Sequence, residues 1–408
     1  MKILVFGINY APELTGIGKY TGEMCEWLAA QGHHVEVITS MPYYPQWEVA
    51  DAYKGRVWHK EFLNGVIVRR CPVYVPSSQS GKARILQDFS FLFSSLWFWI
   101  PTFFKKYDHV VCIAPAFSTG IYGVLYKWLS GSRMQYHIQD LQVDAAERMG
   151  LISSDFLLKV LKGTERWIIK NADVVSSISE GMRRNIVKKC ALKQYFSLPN
   201  WTDTNFIQPK PKSEKMLQRF GLKEADRIVL YSGNIGEKQG LDMVLEVAGE
   251  LSQDSSVKFV LVGEGAYKKK LKQKVEDMRL SNVLFFPLQP YEEMADLLSI
   301  GDVHLVLQKK SATDLVMPSK LINILAAGGL VLASSAEDTS LYDIIEQHDI
   351  GIVIPPEDVS ALHDAVLDAL QNDHTAKRRN ARRFAEEELN IDRILAKFDY
   401  EIIRKEPC

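Results

Sequence analysis

The sequence lacks a charge imbalance. Lys and Arg number 49 and Asp and Glu number 50, a formal net charge of −1 over 408 residues. No global basic field exists to collect nucleic acid, so nucleic acid is not an expected partner and any anion site must be local. Cysteine is scarce. Cys25, Cys71, Cys112, Cys190 and Cys408 are scattered, odd in number and show no CxxC spacing. That argues against a disulfide framework or structural zinc and suits a reducing cytoplasm. Long apolar runs are missing. The opening MKILVFGINYAPELTG carries one Lys and too short an apolar run for a signal peptide, and reads as a buried first strand. The most apolar stretch, Phe89–Phe104, is shorter than the ~20 residues of a spanning helix and holds Pro101, so no transmembrane helix is expected. There is no GxGxxG followed by an acidic residue after the second strand, which disfavours a nicotinamide dehydrogenase. There is no DxD pair suited to a metal and no carboxylate pair recognisable as a hydrolase acid and base.

What is present is a globular composition, with 47% hydrophobic and 24% charged residues. The length suits two domains. Short apolar runs alternate with helical patterns. Strands are expected at Lys2–Phe6, Val35–Thr39, Val66–Arg70, His109–Ile113, Met134–Ile138, Val174–Ile178 and Tyr195–Leu198. The rhythm breaks over Pro199–Asp226, which carries Pro199, Pro209 and Pro211 and reads as an interdomain connection. A second series follows: Ile228–Ser232, Lys258–Val262, Val283–Phe286, Val303–Gln308, Leu330–Ala333 and Gly351–Ile354. Strands separated by helices such as Thr21–Gln31, Leu241–Leu251 and Tyr267–Met278 indicate parallel sheets. The expected division is residues 1–204, residues 205–385, and a charged helical tail over 386–408 packing back toward the first domain.

Doubly wound sheets bind ligands beyond the carboxyl ends of their strands, and the candidate motifs lie there. After the first strand comes Pro12-Glu13-Leu14-Thr15-Gly16-Ile17-Gly18-Lys19, opening a helix. Gly16 and Gly18 would let the backbone approach a diphosphate at a helix N-terminus, or form an ordinary glycine turn. The second series opens with Tyr231-Ser232-Gly233-Asn234-Ile235-Gly236-Glu237-Lys238-Gln239-Gly240. Its glycines, the amides of Asn234 and Gln239, and Lys238 suit a phosphate cradle. Gly263-Glu264-Gly265 is a further glycine turn, consistent with close approach of a flat ligand. In Met317-Pro318-Ser319-Lys320-Leu321-Ile322-Asn323, Pro318 and Ser319 start a helix, and Lys320 adds a cation to its positive end.

These residues give the chain a specific resemblance. Nearly its whole length resembles the retaining GT-B glycosyltransferases of family 4. Gly16-Ile17-Gly18 resembles the family's first glycine loop, and Gly32-His33-His34-Val35-Glu36-Val37 its GHxVxV turn. Ser179-Glu180-Gly181-Met182 and Pro199-Asn200-Trp201-Thr202-Asp203 resemble the markers before its linker. Gly263-Glu264-Gly265 and Pro318-Ser319-Lys320 resemble its donor-domain markers. Tyr43-Tyr44-Pro45 and Gly233-Asn234-Ile235-Gly236 with Gln239-Gly240 resemble the subgroup acting on bacterial lipid-linked glycans. The chain departs from the family at Asn234, where Arg is common, at Gln239, which aligns with a Lys, and at Leu315 and Asn323, which fall on the E-x7-E pair. Lys320 and Lys238 are the candidates to supply the missing charge, and Asn323 can still hydrogen-bond a hydroxyl.

The resemblance implies an α/β fold of GT-B type, two Rossmann-like doubly wound parallel-sheet domains facing a central cleft. It implies a nucleotide-sugar donor, GDP-fucose ahead of a UDP-sugar, and a polyprenyl-diphosphate-linked saccharide acceptor in extracellular polysaccharide synthesis. Transfer would retain configuration, the departing phosphate helping to deprotonate the acceptor, with no metal and no other cofactor. Donor-binding candidates are Gly16, Gly18, Gly233, Asn234, Lys238, Gln239, Gly263, Gly265, Ser319, Lys320 and Asn323. By resemblance Asp140, after the fifth strand of the first series, Met134–Ile138, orients acceptor or donor hydroxyls; from the residues alone it equally caps the following segment. His137 reads as a core histidine. A lipid-linked acceptor demands the inner membrane surface, so Phe91, Trp97 and Trp99 are candidate membrane contacts, flanked by Arg84, Lys105 and Lys106; the alternative is a core helix just before the strand His109–Ile113, as long apolar helices more often are. Two other readings stand beside this one: a nucleotide-sugar epimerase on the same fold, and a non-catalytic scaffold of a polysaccharide complex.

Overall fold

The computed structural model describes residues 1–13, 16–76, 81–116, 118–148, 154–310, 318–337 and 339–404, with the backbone alone for residues 81, 82, 145, 146 and 148. The chain divides into two compact units, Met1–Pro199 with Ile394–Cys408, and Asn200–Arg393. Sequence alone places the first boundary after residue 204 and ends the second domain at 385. Packing moves both. Thr202 bridges Asn390, the Asn390 amide donates to Thr204 Oγ1 at 2.6 Å, and Ile207 sits in the second unit's core. Much of the stretch read as a linker is therefore part of the second unit, including a helix at Glu214–Phe220 whose Met216, Leu217 and Phe220 are buried.

The first unit holds β1 (Lys2–Phe6), α1 (Gly16–Ala30), β2 (His34–Ser40), β3 (His59–Leu63), β4 (Val66–Cys71), α2 (Gly81–Thr102), β5 (His109–Ala114), α3 (Thr119–Ser130), β6 (Arg133–Ile138), α4 (Gln142–Arg148), α5 (Asp155–Asn171), β7 (Val174–Ser177), α6 (Glu180–Lys189) and β8 (Tyr195–Ser197). Its sheet runs β3-β4-β2-β1-β5-β6-β7-β8. All neighbours are parallel except β3, which pairs antiparallel with β4. β3 was not expected from sequence, because this outer strand alternates half-buried and exposed residues rather than forming an apolar run. One core cluster takes Phe6, Val110, Cys112 and Tyr136 from the sheet and Phe91, Trp99, Tyr122, Leu161, Ile168 and Met182 from α2, α3, α5 and α6. These four helices therefore cover one face of the sheet.

The second unit holds α7 (Glu214–Phe220), β9 (Arg227–Ser232), α8 (Asp242–Glu250), β10 (Val257–Val262), α9 (Lys268–Asp277), β11 (Val283–Phe286), α10 (Met294–Ser299), β12 (Val303–Val306), α11 (Ser319–Ala326), β13 (Val331–Ser334), α12 (Ser340–His348), β14 (Gly351–Ile354), α13 (Val359–Gln371) and α14 (Thr375–Glu388). Its sheet is parallel, in the order β11-β10-β9-β12-β13-β14. The strand order reverses between β1 and β5 in one unit and between β9 and β12 in the other. Those reversals open the strand-end crevices where such sheets hold ligands. A last helix, α15 (Ile391–Phe398), brings the chain back to the first unit, where Phe398 packs on Phe196 with ring centroids 5.8 Å apart. Arg133 donates to the Ile402 carbonyl at 2.7 Å, and His33 bonds Asp399 at 2.8 Å.

α2 corrects two of the membrane-contact expectations. Phe91 and Trp99 are fully buried, each with its ring centroid 5.2 Å from that of Phe6. They occupy the helix face that meets the sheet, one heptad and one extra residue apart. Trp97 lies on the opposite face and is 62% exposed. Among the described residues no helix is long and apolar enough to cross a membrane.

Candidate functional site

In the second unit the loop after β9 is laid directly against the loop after β10. Gly233 N–H donates to the Val262 carbonyl at 2.9 Å, and Ile235 N–H to the Glu264 carbonyl at 2.8 Å. A Cβ on Gly263 would lie 1.8 Å from the Gly233 oxygen, and one on Gly265 would lie 2.2 Å from the Ile235 oxygen. Both glycines are required by the chain's own backbone. The close approach foreseen for a flat ligand is taken up by this loop-on-loop packing.

Next to that paired loop stands Lys320, in the first turn of α11. Its stem passes Gly233, with Cδ 3.8 Å from where a Gly233 Cβ would sit, and its ammonium lies 3.8 Å from the centroid of the Tyr231 ring. The residue is half-buried as a whole, its stem partly open, but Nζ is enclosed and has no hydrogen-bond partner among the described residues. Burial pushes its pKa down to about 7. Tyr231 is buried, its hydroxyl donates to the Asn234 carbonyl at 2.6 Å, and burial pushes its pKa up. An aromatic face is a partial substitute for water around a cation, and an anion would be a far better one.

The remaining candidates in this unit divide. Asn234, Lys238 and Ser319 are exposed. Asn234 lies beside Gly265, its Oδ1 2.8 Å from where a Cβ there would sit. Gln239 is committed locally: its Oε1 accepts the Gly236 N–H at 3.1 Å. The Lys238 carbonyl accepts the Lys309 N–H at 2.8 Å, joining the loops after β9 and β12 at the strand-order reversal. Asn323, one turn beyond Lys320, accepts the Thr202 hydroxyl at 2.9 Å. Leu315 and Met317 lie outside the described residues.

In the first unit the glycine turn is filled by the chain itself. The buried Glu13 carboxylate accepts N–H bonds from Tyr43 at 3.1 Å and Tyr44 at 3.0 Å, and the Asn9 amide at 3.0 Å. A Cβ on Gly18 would lie 2.4 Å from Glu13 Oε2, and Gly16, at φ +64°, lies under Tyr44. Gly16 and Gly18 thus make room for a carboxyl group at the start of α1. Burial raises the Glu13 pKa, and the three donors oppose the rise. Tyr43, Tyr44 and Trp47 form an aromatic group beside it, and the Arg84 guanidinium lies 5.6 Å from the Trp47 ring centroid. One turn along α2, Asp88 is buried and pushed up to about 8 by desolvation. With its amide turned, Gln142 donates to Asp88 at 3.2 Å. Asp140 stands half-buried two residues past β6. His137 is buried within β6, bonded to Ser176 Oγ at 2.9 Å, and pushed down to about 3 by burial. Among the described residues no three His, Cys, Asp or Glu side chains come together as metal ligands.

Sequence reasoning assigned no role to Tyr231, Glu13, Trp47 or Asp88. Their partners are distant in the chain. The one available signal was position: Glu13 falls just before α1 and Tyr231 near the end of β9, while Trp47 in a loop and Asp88 inside α2 carry none.

Comparison with known proteins agrees with this arrangement. The Glycosyl transferases group 1 family matches residues 212–388, and the Glycosyl transferase 4-like domain matches residues 15–191. The colanic acid biosynthesis glycosyl transferase WcaI of Escherichia coli (strain K12) is 40% identical over 407 residues, 98% of each chain. Glycosyltransferase WbjE of Pseudomonas aeruginosa is 23% identical over 240 residues, 58% of this chain and 60% of that one. Among solved structures, sucrose-phosphate synthase from Thermosynechococcus elongatus superposes with a TM-score of 0.73 at 19% identity, over 98% of this chain and 97% of that one. WaaG, a glycosyltransferase of lipopolysaccharide biosynthesis, gives 0.69 at 17% identity, over 98% and 99%. The likeness to these structures shows a shared fold.

Proposed function

The chain belongs to the group 1 glycosyl transferases, of the GT-B fold and family 4, and from that premise we propose that its second unit grips the diphosphate of a nucleotide-sugar through Lys320. The sugar passes to a polyprenyl-diphosphate-linked saccharide in the assembly of an extracellular polysaccharide of colanic acid type. The donor is a nucleoside diphosphate sugar, GDP-fucose ahead of UDP-sugars, and the acceptor is met at the cytoplasmic face of the membrane. The enzyme is a glycosyltransferase; the donor, acceptor and stereochemistry are the proposal.

The observation that carries the reading is the Lys320 ammonium, enclosed over Tyr231 and without a partner among the described residues. Breaking the anomeric C–O bond leaves negative charge on the diphosphate. A cation already fixed in a water-poor site stabilises that charge without reorganising. The exposed Lys238 adds a second cation from the loop after β9. The acceptor oxygen forms the new bond on the face the diphosphate leaves. Its proton passes to the departing phosphate oxygen, so configuration is retained and no protein base is needed. Lysine supplies the charge that a metal would otherwise bring.

A thermal-shift panel of GDP, UDP, ADP and CDP tests the reading. A ligand that binds only the native state raises its stability by mass action, so the correct base stands out. No shift with any of them, at concentrations that saturate relatives, would remove the donor site. Nucleoside diphosphate release that requires added acceptor separates a transferase from an epimerase.

A further inference from the structure

We propose that the first unit docks on an anionic bilayer through the outward faces of α2, α3 and α5 together, as one apolar field with a basic rim. This deepens the lipid-linked reading by naming the surface, and it rests on that reading only for its purpose.

The three helices cover one face of the sheet, since all bury into the same core cluster. They are also tied to one another: the Tyr122 hydroxyl of α3 donates to the Leu92 carbonyl of α2 at 3.0 Å, and Trp128 of α3 meets Trp167 of α5 at 5.6 Å between ring centroids. A helix on a soluble sheet turns its polar side outward. α2 and α3 do not, and α5 sets Phe156 and Val160 among the exposed Lys159, Lys162, Arg166 and Lys170. On α2, Phe89, Phe93, Trp97 and Ile100 are exposed at helical spacing, and Phe104 just beyond its end is 88% exposed. On α3, Trp128 and Leu129 are exposed, and on α5, Phe156, at 78%, and Val160. Trp58, beside β3, extends the field: its indole donates to the Ser94 carbonyl at 2.9 Å, and its ring packs on Trp97 at 5.3 Å. This many large exposed apolar side chains on neighbouring helices mark an interaction surface rather than scattered exposure.

The charge around it selects the occupant. Lys105, Lys106, Lys159, Lys162, Arg166 and Lys170 are exposed along these elements, against Asp108, Glu147 and Asp155. Two-fold pairing of this face with a second copy would set the same basic residues against each other. An anionic lipid surface meets them with opposite charge, and the aromatic side chains fit the headgroup boundary.

The test uses the full chain and vesicles of phosphatidylcholine with or without phosphatidylglycerol. Co-sedimentation is expected with the anionic vesicles, weakening in high salt and at least about tenfold lower with phosphatidylcholine alone. The triple variants Phe93→Ser/Trp97→Ser/Phe104→Ser and Trp128→Ser/Leu129→Ser/Phe156→Ser are each expected to lower it at least about tenfold. Wild-type protein that ignores anionic vesicles overturns the proposal. So does binding that only the α2 variant reduces, because the field then does not include α3 and α5. Self-association that the variants abolish, without vesicle binding, assigns the face to a second copy and also overturns it. Should a triple variant melt abnormally, Lys159→Gln/Lys162→Gln/Lys170→Gln replaces it, and unchanged binding there has the same force. Vesicle binding by a chain that no nucleoside diphosphate stabilises would sink the donor-site reading and leave the surface standing.

Discussion

Replacing Lys320 with Met keeps a stem over Tyr231 and removes the charge. In the free protein burial holds Lys320 down at about 7, so above that pH a bound diphosphate must recruit a proton to make its ammonium contact. The ligand's own last ionisation lies near pH 6, so from pH 7 upward Lys320 is the group that titrates against binding. The facing aromatic, Tyr231, is pushed up and stays neutral. Affinity of the wild type should therefore be flat near pH 6 and fall about tenfold, or ~1.4 kcal/mol, per pH unit above about 7. At pH 6.5 Lys320→Met, like Lys320→Ala, should lose ~1–3 kcal/mol of nucleoside diphosphate binding, the scale of a charge-assisted hydrogen bond. By pH 9 the wild type has itself lost ~2–3 kcal/mol, and the two curves should converge. Calorimetric titration from pH 6 to 9 measures both. Parallel curves, or equal affinities at pH 6.5, refute the role given to Lys320. The ligand-free protein moves the other way. A lysine whose folded pKa lies below its unfolded value destabilises the fold while charged, so Lys320→Met should melt higher than wild type below pH 7.

His109, His137 and His304 are buried and pushed down to about 3, below their unfolded values near 6.5, so the stability they contribute is present above pH 6.5 and drains as pH falls toward 3. Each costs ~1.4 kcal/mol per unit, so urea midpoints should drop by the equivalent of roughly 4 kcal/mol between pH 7.5 and 5.5; a flat profile contradicts it. Gly263→Ala, driven into the Gly233 carbonyl, should destabilise by ~3 kcal/mol or more, while Gly163→Ala, in α5 with open space around it, should stabilise by ~0.5–1 kcal/mol; equal melting temperatures would count against the loop packing. Glu13→Ala strands the Tyr43, Tyr44 and Asn9 donors and should cost ~2–4 kcal/mol in thermal unfolding, with an unchanged melting temperature as the refuting result.

The strands came through in the sequence because parallel strands covered on both faces are unbroken apolar runs. Lys2–Phe6, Val283–Phe286 and Gly351–Ile354 match the observed strands residue for residue, and most others match within a residue or two. The antiparallel β3 escaped because one of its sides meets solvent. On α2 the apolar content was visible but not its division, since Phe91 and Trp99 are as apolar as Phe93 and Trp97. The sheet underneath decides which are core.

The candidate site shows the same split. Glycine, lysine and amide residues after strands were legible by themselves, because strand ends and helix starts are local. What each one does was not. Gly263 and Gly265 serve a neighbouring loop, Gly18 serves Glu13, Gln239 caps its own turn, and Asn323 is bonded to Thr202. Sequence by itself determined the class of fold, the places where chemistry could sit and the supply of cations there. Only the tertiary structure decided that Lys320 is the enclosed one, because burial and hydrogen-bond partnership depend on residues brought together from distant parts of the chain.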